Sequence, residues 1–216
     1  MTIKYKRRMR EEKHERASQA ERREQSSRAL LDAATSLIAE QGFTRTTLAQ
    51  IGQKAGYSRG LVNERFGSKS ALIRTLADEF QNYFSVDVLE PALEGRSGVG
   101  AIVATVDAYL DAVETSGDLG RAYYELFGES LASIPEIHGT FLRADRRLRA
   151  LLQQTVEEAE LSDDVDASAL ASVVLGILRG VAMQVVRDPG ALELVAVKRE
   201  IHRLLEAAFA VSDEQG

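Results

Sequence analysis

From Ser26 or Ser27 onward, apolar residues recur at helical spacing: Leu30, Ala34, Leu37 and Ile38 share one face, and Gly42 closes the run before Phe43. A shorter face follows in Leu48, Ile51 and Ala55, opened by Thr46 or Thr47 as cap and broken at Gly56. Ser58 then caps a segment whose inner face is Leu61, Val62 and Phe66. Two short helices joined by a glycine-containing turn predict a helix-turn-helix. Lys69 opens a longer helix, with Leu72, Ile73, Leu76 and Phe80 on one side, which runs towards Leu89 and stops at Pro91. Further helical patterns lie at 101–115, 119–133, 136–160, 166–187 and 191–211, separated by a GRSGVG linker, Pro135 and Asp188-Pro189. The last two are the most apolar. Leu170, Val174, Ile177, Val181 and Val185 line one; Leu194, Val195, Lys198, Ile201, Leu204, Leu205 and Phe209 line the other, and the pair reads as antiparallel neighbours with a dimer face. No sustained alternation suggests a strand. The expected fold is all-α: a flexible arm over 1–25, a three-helix unit over 26–74 and a larger helical domain over 75–216.

Charge divides the chain in the same place. Residues 1–74 hold 16 Lys/Arg against 8 Asp/Glu, whereas the remainder holds 11 against 25, under an overall net charge of −6. The basic part suits a polyanion and the acidic part is repelled by one. With 44% hydrophobic residues the chain can bury substantial cores. The absence of cysteine removes disulfides, thiolate nucleophiles, zinc fingers and iron–sulfur ligation. The charged first residues lack a following apolar stretch, and Ala169–Val186 is interrupted by Arg179 and Gln184, so neither secretion nor a membrane span is expected; a cytoplasmic location is. His14, His138 and His202 form no HxxxH or HxxE pairing, so no metal site and no cofactor are expected.

Residues 43–72, FTRTTLAQIGQKAGYSRGLVNERFGSKSAL, carry the chemistry. Thr47 at a helix start offers a hydroxyl and free backbone N–H groups to a phosphate, and Lys69 offers an ammonium. The face of 58–65 that is not needed inside leaves Ser58, Arg59, Gly60, Asn63, Glu64 and Arg65 for DNA readout. Arg59 suits a guanine edge, Asn63 an adenine, Glu64 a cytosine N4, and Gly60 a close backbone approach. Glu64 is either such a specificity element or a solvated partner of Arg65. The arm holds KYKRRMR at its start, suited to a minor groove or to phosphates, with a solubilising tail as the alternative. Gly56-Tyr57-Ser58-Arg59-Gly60 also spells G-x-S-x-G, the hydrolase nucleophile elbow; the preceding LAQIGQKA reads as helix where the elbow needs a strand, so no catalytic residue is expected.

Thr47, Ile51, Ala55, Gly56, Ser58, Gly60, Phe66, Ser68, Lys69 and Leu72 resemble the N-terminal motif of TetR-family regulators, and with the first helix the resemblance covers 27–76. The chain departs from that pattern at Leu61, Asn63 and Glu64, where the family usually has Thr, Tyr and His or Tyr. The resemblance implies a repressor that binds a palindromic operator as a homodimer through 166–187 and 191–211, with recognition helices about 34 Å apart, and releases it when a small molecule enters the C-terminal domain. A regulator that is independent of ligand or activated by it is the alternative. Residues suited to that pocket are Tyr109, Tyr123, Tyr124, Phe127, His138, Phe141 and Met183, aromatics and polar handles of a mostly apolar site. Arg143, Arg146 and Arg147 share a helix face, read as a solvated, salt-bridged one with an anionic ligand as the alternative.

Overall fold

The computed structural model describes residues 2–132, 135–159 and 165–210, with side chains over 18–131, 137–159 and 165–208; among them regular structure is helical throughout. The chain forms two compact units, Met1–Leu72 and Ile73–Gly216.

In the first unit, α1 (Thr2–Gln41) packs on α2 (Leu48–Lys54), and α2 on α3 (Arg59–Phe66). Leu30, Ala34 and Ile38 of α1, Ile51 of α2 and Val62 of α3 are fully buried or nearly so, which is the face the spacing marks. The start of α1 differs from expectation. The helix runs back to Thr2, and Ser26 lies inside it, buried, its hydroxyl donating to the Arg23 carbonyl at 2.9 Å. Residues 2–25 contain no Gly or Pro and are rich in Lys, Arg, Glu and Gln, so propensity sustains a helix that has no apolar face to betray it. The arm's side chains up to residue 17 lie outside the described residues.

The second unit is built around α6 (Gly98–Thr115), which packs against α8 (Pro135–Glu157), α9 (Ala167–Arg187) and α10 (Leu194–Ala210), with α7 (Asp118–Ala132) against α8 and α9. Ile102, Val106 and Leu110 of α6 meet Leu148 and Leu152 of α8, Val174 and Leu178 of α9, and Ile201 and Leu205 of α10 in one core. The expected pairing of α9 with α10 gives way to packing of α10 principally on α6, where Lys198 pairs with Asp111, and His202 Nε2 lies 3.0 Å from Asp107. The side chain of Phe209 lies outside the described residues. By length and composition α9 is apolar enough to cross a membrane. Its inward face, however, belongs to this helical core.

The helix opened at Lys69 does not stop at Pro91. After α4 (Lys69–Tyr83) comes a π-helical turn, Phe84–Leu89, in which the Glu90 N–H reaches the Ser85 carbonyl, and then α5 (Glu90–Leu93). Pro91 falls in the first turn of α5, where its missing N–H forfeits nothing. Leu178 is fully buried in the centre of the unit. Leu178→Ala is expected to lower unfolding stability by about 2–5 kcal/mol in urea denaturation; a loss well under 1 kcal/mol would show that this core is loosely packed.

Candidate functional site

The α2–α3 turn is held by caps and by a close approach of backbone to backbone. Thr47 caps α2: its hydroxyl accepts from Gln50 N–H at 3.3 Å, and the Gln50 side-chain oxygen accepts from Thr47 N–H at 2.9 Å, a reciprocal box. Thr46, the other cap candidate, is buried and donates to the Gly42 carbonyl instead. Gly56 takes φ +78, a left-handed conformation that reverses the chain after α2. Gly52 matters for a different reason. A Cβ there would lie 2.9 Å from the Tyr57 carbonyl oxygen and 3.2 Å from that of Ser58, so only a hydrogen lets the turn fold onto α2. Ser58 then caps α3, its hydroxyl accepting from Leu61 N–H at 3.2 Å.

Those constraints leave Thr47, Ser58, Arg59, Gly60, Asn63 and Glu64 exposed. Two of the residues expected on the same face are otherwise engaged. The Arg65 side chain is only 15% exposed; its Nε donates to Ser26 Oγ on α1 at 3.2 Å and its Nη1 meets Glu64 at 3.0 Å. Lys69 donates to the Phe43 carbonyl at 2.6 Å, with its ammonium 3.8 Å from the centre of the Phe43 ring. A guanidinium at α3's last turn and an ammonium at α4's first thus tie their helices to the first helix and its following loop. Both long side chains are half-buried and bonded within the unit.

The second unit holds a half-open cavity of about 280 Å³ between α4, the π-helical turn, α5, α6, α7, α8 and α9. Tyr109, Tyr123 and Tyr124 line it, as expected. Phe127 and Phe141 stand behind, packed edge-on against Tyr124 and Tyr123 at centroid distances of 6.3 and 5.3 Å. His138 and Met183 do not line it: His138 is exposed, its Nδ1 3.2 Å from the Ser130 carbonyl, and Met183 is exposed on α9. Both occupy outward positions of their helices. Of Arg143, Arg146 and Arg147 on α8, Arg147 lines the cavity, while Arg143 lies 3.8 Å from Asp78 and donates to Thr140.

The residue the sequence reading passed over is Arg179. It lines the cavity from α9, 14% exposed, donating through Nη2 to Asp145 at 2.6 Å and through Nη1 to the Tyr123 hydroxyl at 2.9 Å. Its guanidinium also lies 5.0 Å from the Phe127 ring centre and 5.5 Å from that of Tyr123. Burial works against the cation, but the tyrosines and Asp145 outweigh it, and Arg179 is held above its ordinary value. Tyr109 and Tyr124 share a hydroxyl–hydroxyl bond of 2.7 Å. Burial raises all three tyrosines, Tyr109 the most, against the opposing pull of Arg179, so they remain neutral hydrogen-bonding groups. The signal in the sequence was a lone arginine in an apolar run, since a charge there must be paired indoors.

Comparison with known proteins agrees with this arrangement. The family model of bacterial regulatory proteins, tetR family, matches residues 30–76. The HTH-type transcriptional regulator BetI of Paraburkholderia xenovorans is 30% identical over 158 residues, covering 70% of this chain and 79% of its own. The regulator SrpR of Pseudomonas putida is 25% identical over 170 residues, covering 76% and 77%. Among solved structures, a transcriptional regulator from Rhodococcus sp. Rha1 matches with a TM-score of 0.75 at 15% identity, over 88% of this chain and 99% of that one.

Two outcomes follow from this geometry. Gly52→Val must push the Tyr57–Ser58 backbone away, and amide exchange at Tyr57, whose N–H bonds to the Gly52 carbonyl at 2.7 Å, is expected to accelerate about tenfold or more; unchanged protection would mean the turn yields freely. The raised tyrosines make folding favour their protonated form. Their contribution is complete below the unfolded-state value of about 10 and is lost as pH rises through the higher folded values. Stability is therefore expected to fall above about pH 10, and less steeply in Tyr109→Phe, when urea midpoints are measured across that range.

Proposed function

The chain belongs to the TetR family of helix-turn-helix transcriptional regulators, DNA-binding proteins and not enzymes, and on that premise we propose that it is a repressor released from its operator when a small molecule fills the cavity of the second unit. The observation that carries the DNA side is the rigidly capped α2–α3 turn, with Ser58, Arg59, Gly60, Asn63 and Glu64 exposed beside Thr47. Thr47 and Ser58 contact phosphates; Arg59 and Asn63 read base edges. Arg65 and Lys69 position their helices first, and any phosphate contact they make is secondary. Glu64, neutralised by Arg65, lowers the repulsion that a carboxylate meets beside DNA. A hydrolase based on Ser58 has no support, since a helix precedes it and its hydroxyl caps another.

The operator is a palindrome read by a homodimer in the cytoplasm. Val173 and Met183 of α9 and Val195 and Leu204 of α10 are large apolar side chains left exposed, which supports dimerisation through 166–187 and 191–211. We keep the division into an N-terminal arm (1–25), a DNA-binding domain (26–74) and an effector and dimerisation domain (75–216), and we assign the basic start of the arm to a second DNA contact. Phe80, Gln81, Tyr83, Phe84 and Ser85, which line the cavity, belong to the same run of helix that Lys69 opens. A ligand that prefers one position of that run shifts the spacing of the recognition helices, and a coupling of about 1–3 kcal/mol changes operator affinity about 5–150-fold.

Binding to DNA fragments that include the region upstream of its own gene, at several salt concentrations, tests the reading. Selective binding that weakens steeply with salt is expected, with Arg59→Ala losing about 5–150-fold for its preferred sequence. A folded dimer with no sequence preference would refute it.

A further inference from the structure

The cavity wall formed by α6, α7 and α9 has more hydrogen-bond donors than acceptors. Arg179 has five N–H donors, of which one meets Asp145 and one the Tyr123 hydroxyl, while its Nε is buried with no acceptor. The Tyr123 hydroxyl oxygen accepts that bond, and its own proton finds no acceptor among the described residues. Tyr109 and Tyr124 bond to each other through a single proton, which leaves the other unclaimed there as well. Asp145, the acceptor that balances Arg179, does not line the cavity, whereas Arg179 does. An occupant therefore meets the cationic side of the pair and a row of phenolic protons.

The remaining walls are apolar, with Phe84, Leu89, Leu93, Leu119, Leu148 and Leu151 among them. The space of about 280 Å³ admits a ring with a short substituent. Beside this wall a cation would meet the like charge of Arg179, whose guanidinium lies 5.9 and 5.5 Å from the centres of the Tyr109 and Tyr123 rings that line the cavity. At the cavity lining Arg147 is exposed and without an ion-pair partner among the described residues; Glu90 is exposed there too and stands at the opposite end of the charge scale.

Resting on the reading of this cavity as the effector site, we propose that the effector is a compact aromatic or alicyclic carboxylate, its two oxygens accepting from Tyr123, from the Tyr109–Tyr124 pair and from Arg179, and its ring lying among Phe84, Leu89 and Leu148. A carboxylate supplies several acceptor lone pairs in one group, which is what this wall lacks. Because the three phenols stay protonated and Arg179 stays charged, the donor surplus persists over the whole working pH range.

The test uses the full chain and four probes that share a phenyl body: 3-phenylpropanoate, 3-phenylpropanamide, 3-phenylpropan-1-ol and trimethyl(2-phenylethyl)ammonium, titrated calorimetrically. The carboxylate is expected to bind at least about tenfold more tightly than the amide or the alcohol, and the ammonium most weakly. Tyr124→Phe is expected to weaken the carboxylate about tenfold while leaving the alcohol within about twofold. Arg179→Gln combined with Asp145→Asn, which strands no buried charge, is expected to abolish the preference for the carboxylate. Equal binding of the neutral probes, tighter binding of the ammonium, or no binding by any of the four overturns the assignment. DNA release is followed in parallel: a carboxylate that binds without releasing DNA upholds the ligand class and overturns the effector reading, while release by the alcohol but not the carboxylate does the reverse.

Discussion

A guanidinium in the middle of an apolar helix is the constraint around which the second unit is organised. Arg179 shares a face of α9 with Leu175 and Ala182, both buried, so its charge is committed to the interior once that face packs. An unpaired ion there would be prohibitive, and the solution recruits three other helices: Asp145 from α8, Tyr123 from α7 and the Tyr109 ring from α6. Tyr109 and Tyr123 both lie against the cation and line the cavity. Phe141 and Phe127 then fill the space behind the tyrosines. Support for the ion and the walls of the cavity are thus one construction, and the apolar core of α6, α8, α9 and α10 keeps it rigid.

The first unit solves a smaller problem by similar means. Its apolar core, centred on Leu30, Ile38, Ile51 and Val62, is modest, so the orientation of α3 leans on short-range polar ties. Ser26 is the hinge pin: its hydroxyl donates to the backbone of α1 and accepts from Arg65 of α3. A buried serine inside a helix is otherwise an indifferent choice. Here it converts the last turn of α3 into a fixed attachment, leaving the first turn to face outward.

Much of this was legible in the chain. Apolar spacing located the inner faces of α1, α2 and α3, and Thr47, Gly56 and Ser58 marked their ends because caps and left-handed turns are local chemistry. The beginning of α1 was not legible, since Ser26 resembles a cap and residues 2–25 offer no apolar stripe. Pro91 misled for a related reason: a proline ends an α-helix but sits comfortably in a new first turn after a π-helical step. For the cavity, residue type found the tyrosines but placed His138 and Met183 beside them, because side-chain chemistry does not say which side of a helix faces in. Arg179 was seen only as an interruption, and its partners on α7 and α8 are 56 and 34 residues away in sequence. Such a pairing is a property of the packed helices and has no local signature.

The π-helical turn at Phe84–Leu89 carries one residue more than an α-helix of the same rise would need. Each α-helical residue turns the chain by about 100°, so that surplus residue sets the azimuth of everything downstream, and Leu89 and Leu93 face the cavity because of it. Removing one residue from that turn would rotate Leu89 and Leu93 by about 100° about the helix axis, away from the cavity they line, and would carry Pro91 into the interior of an α-helix, where it bends the chain.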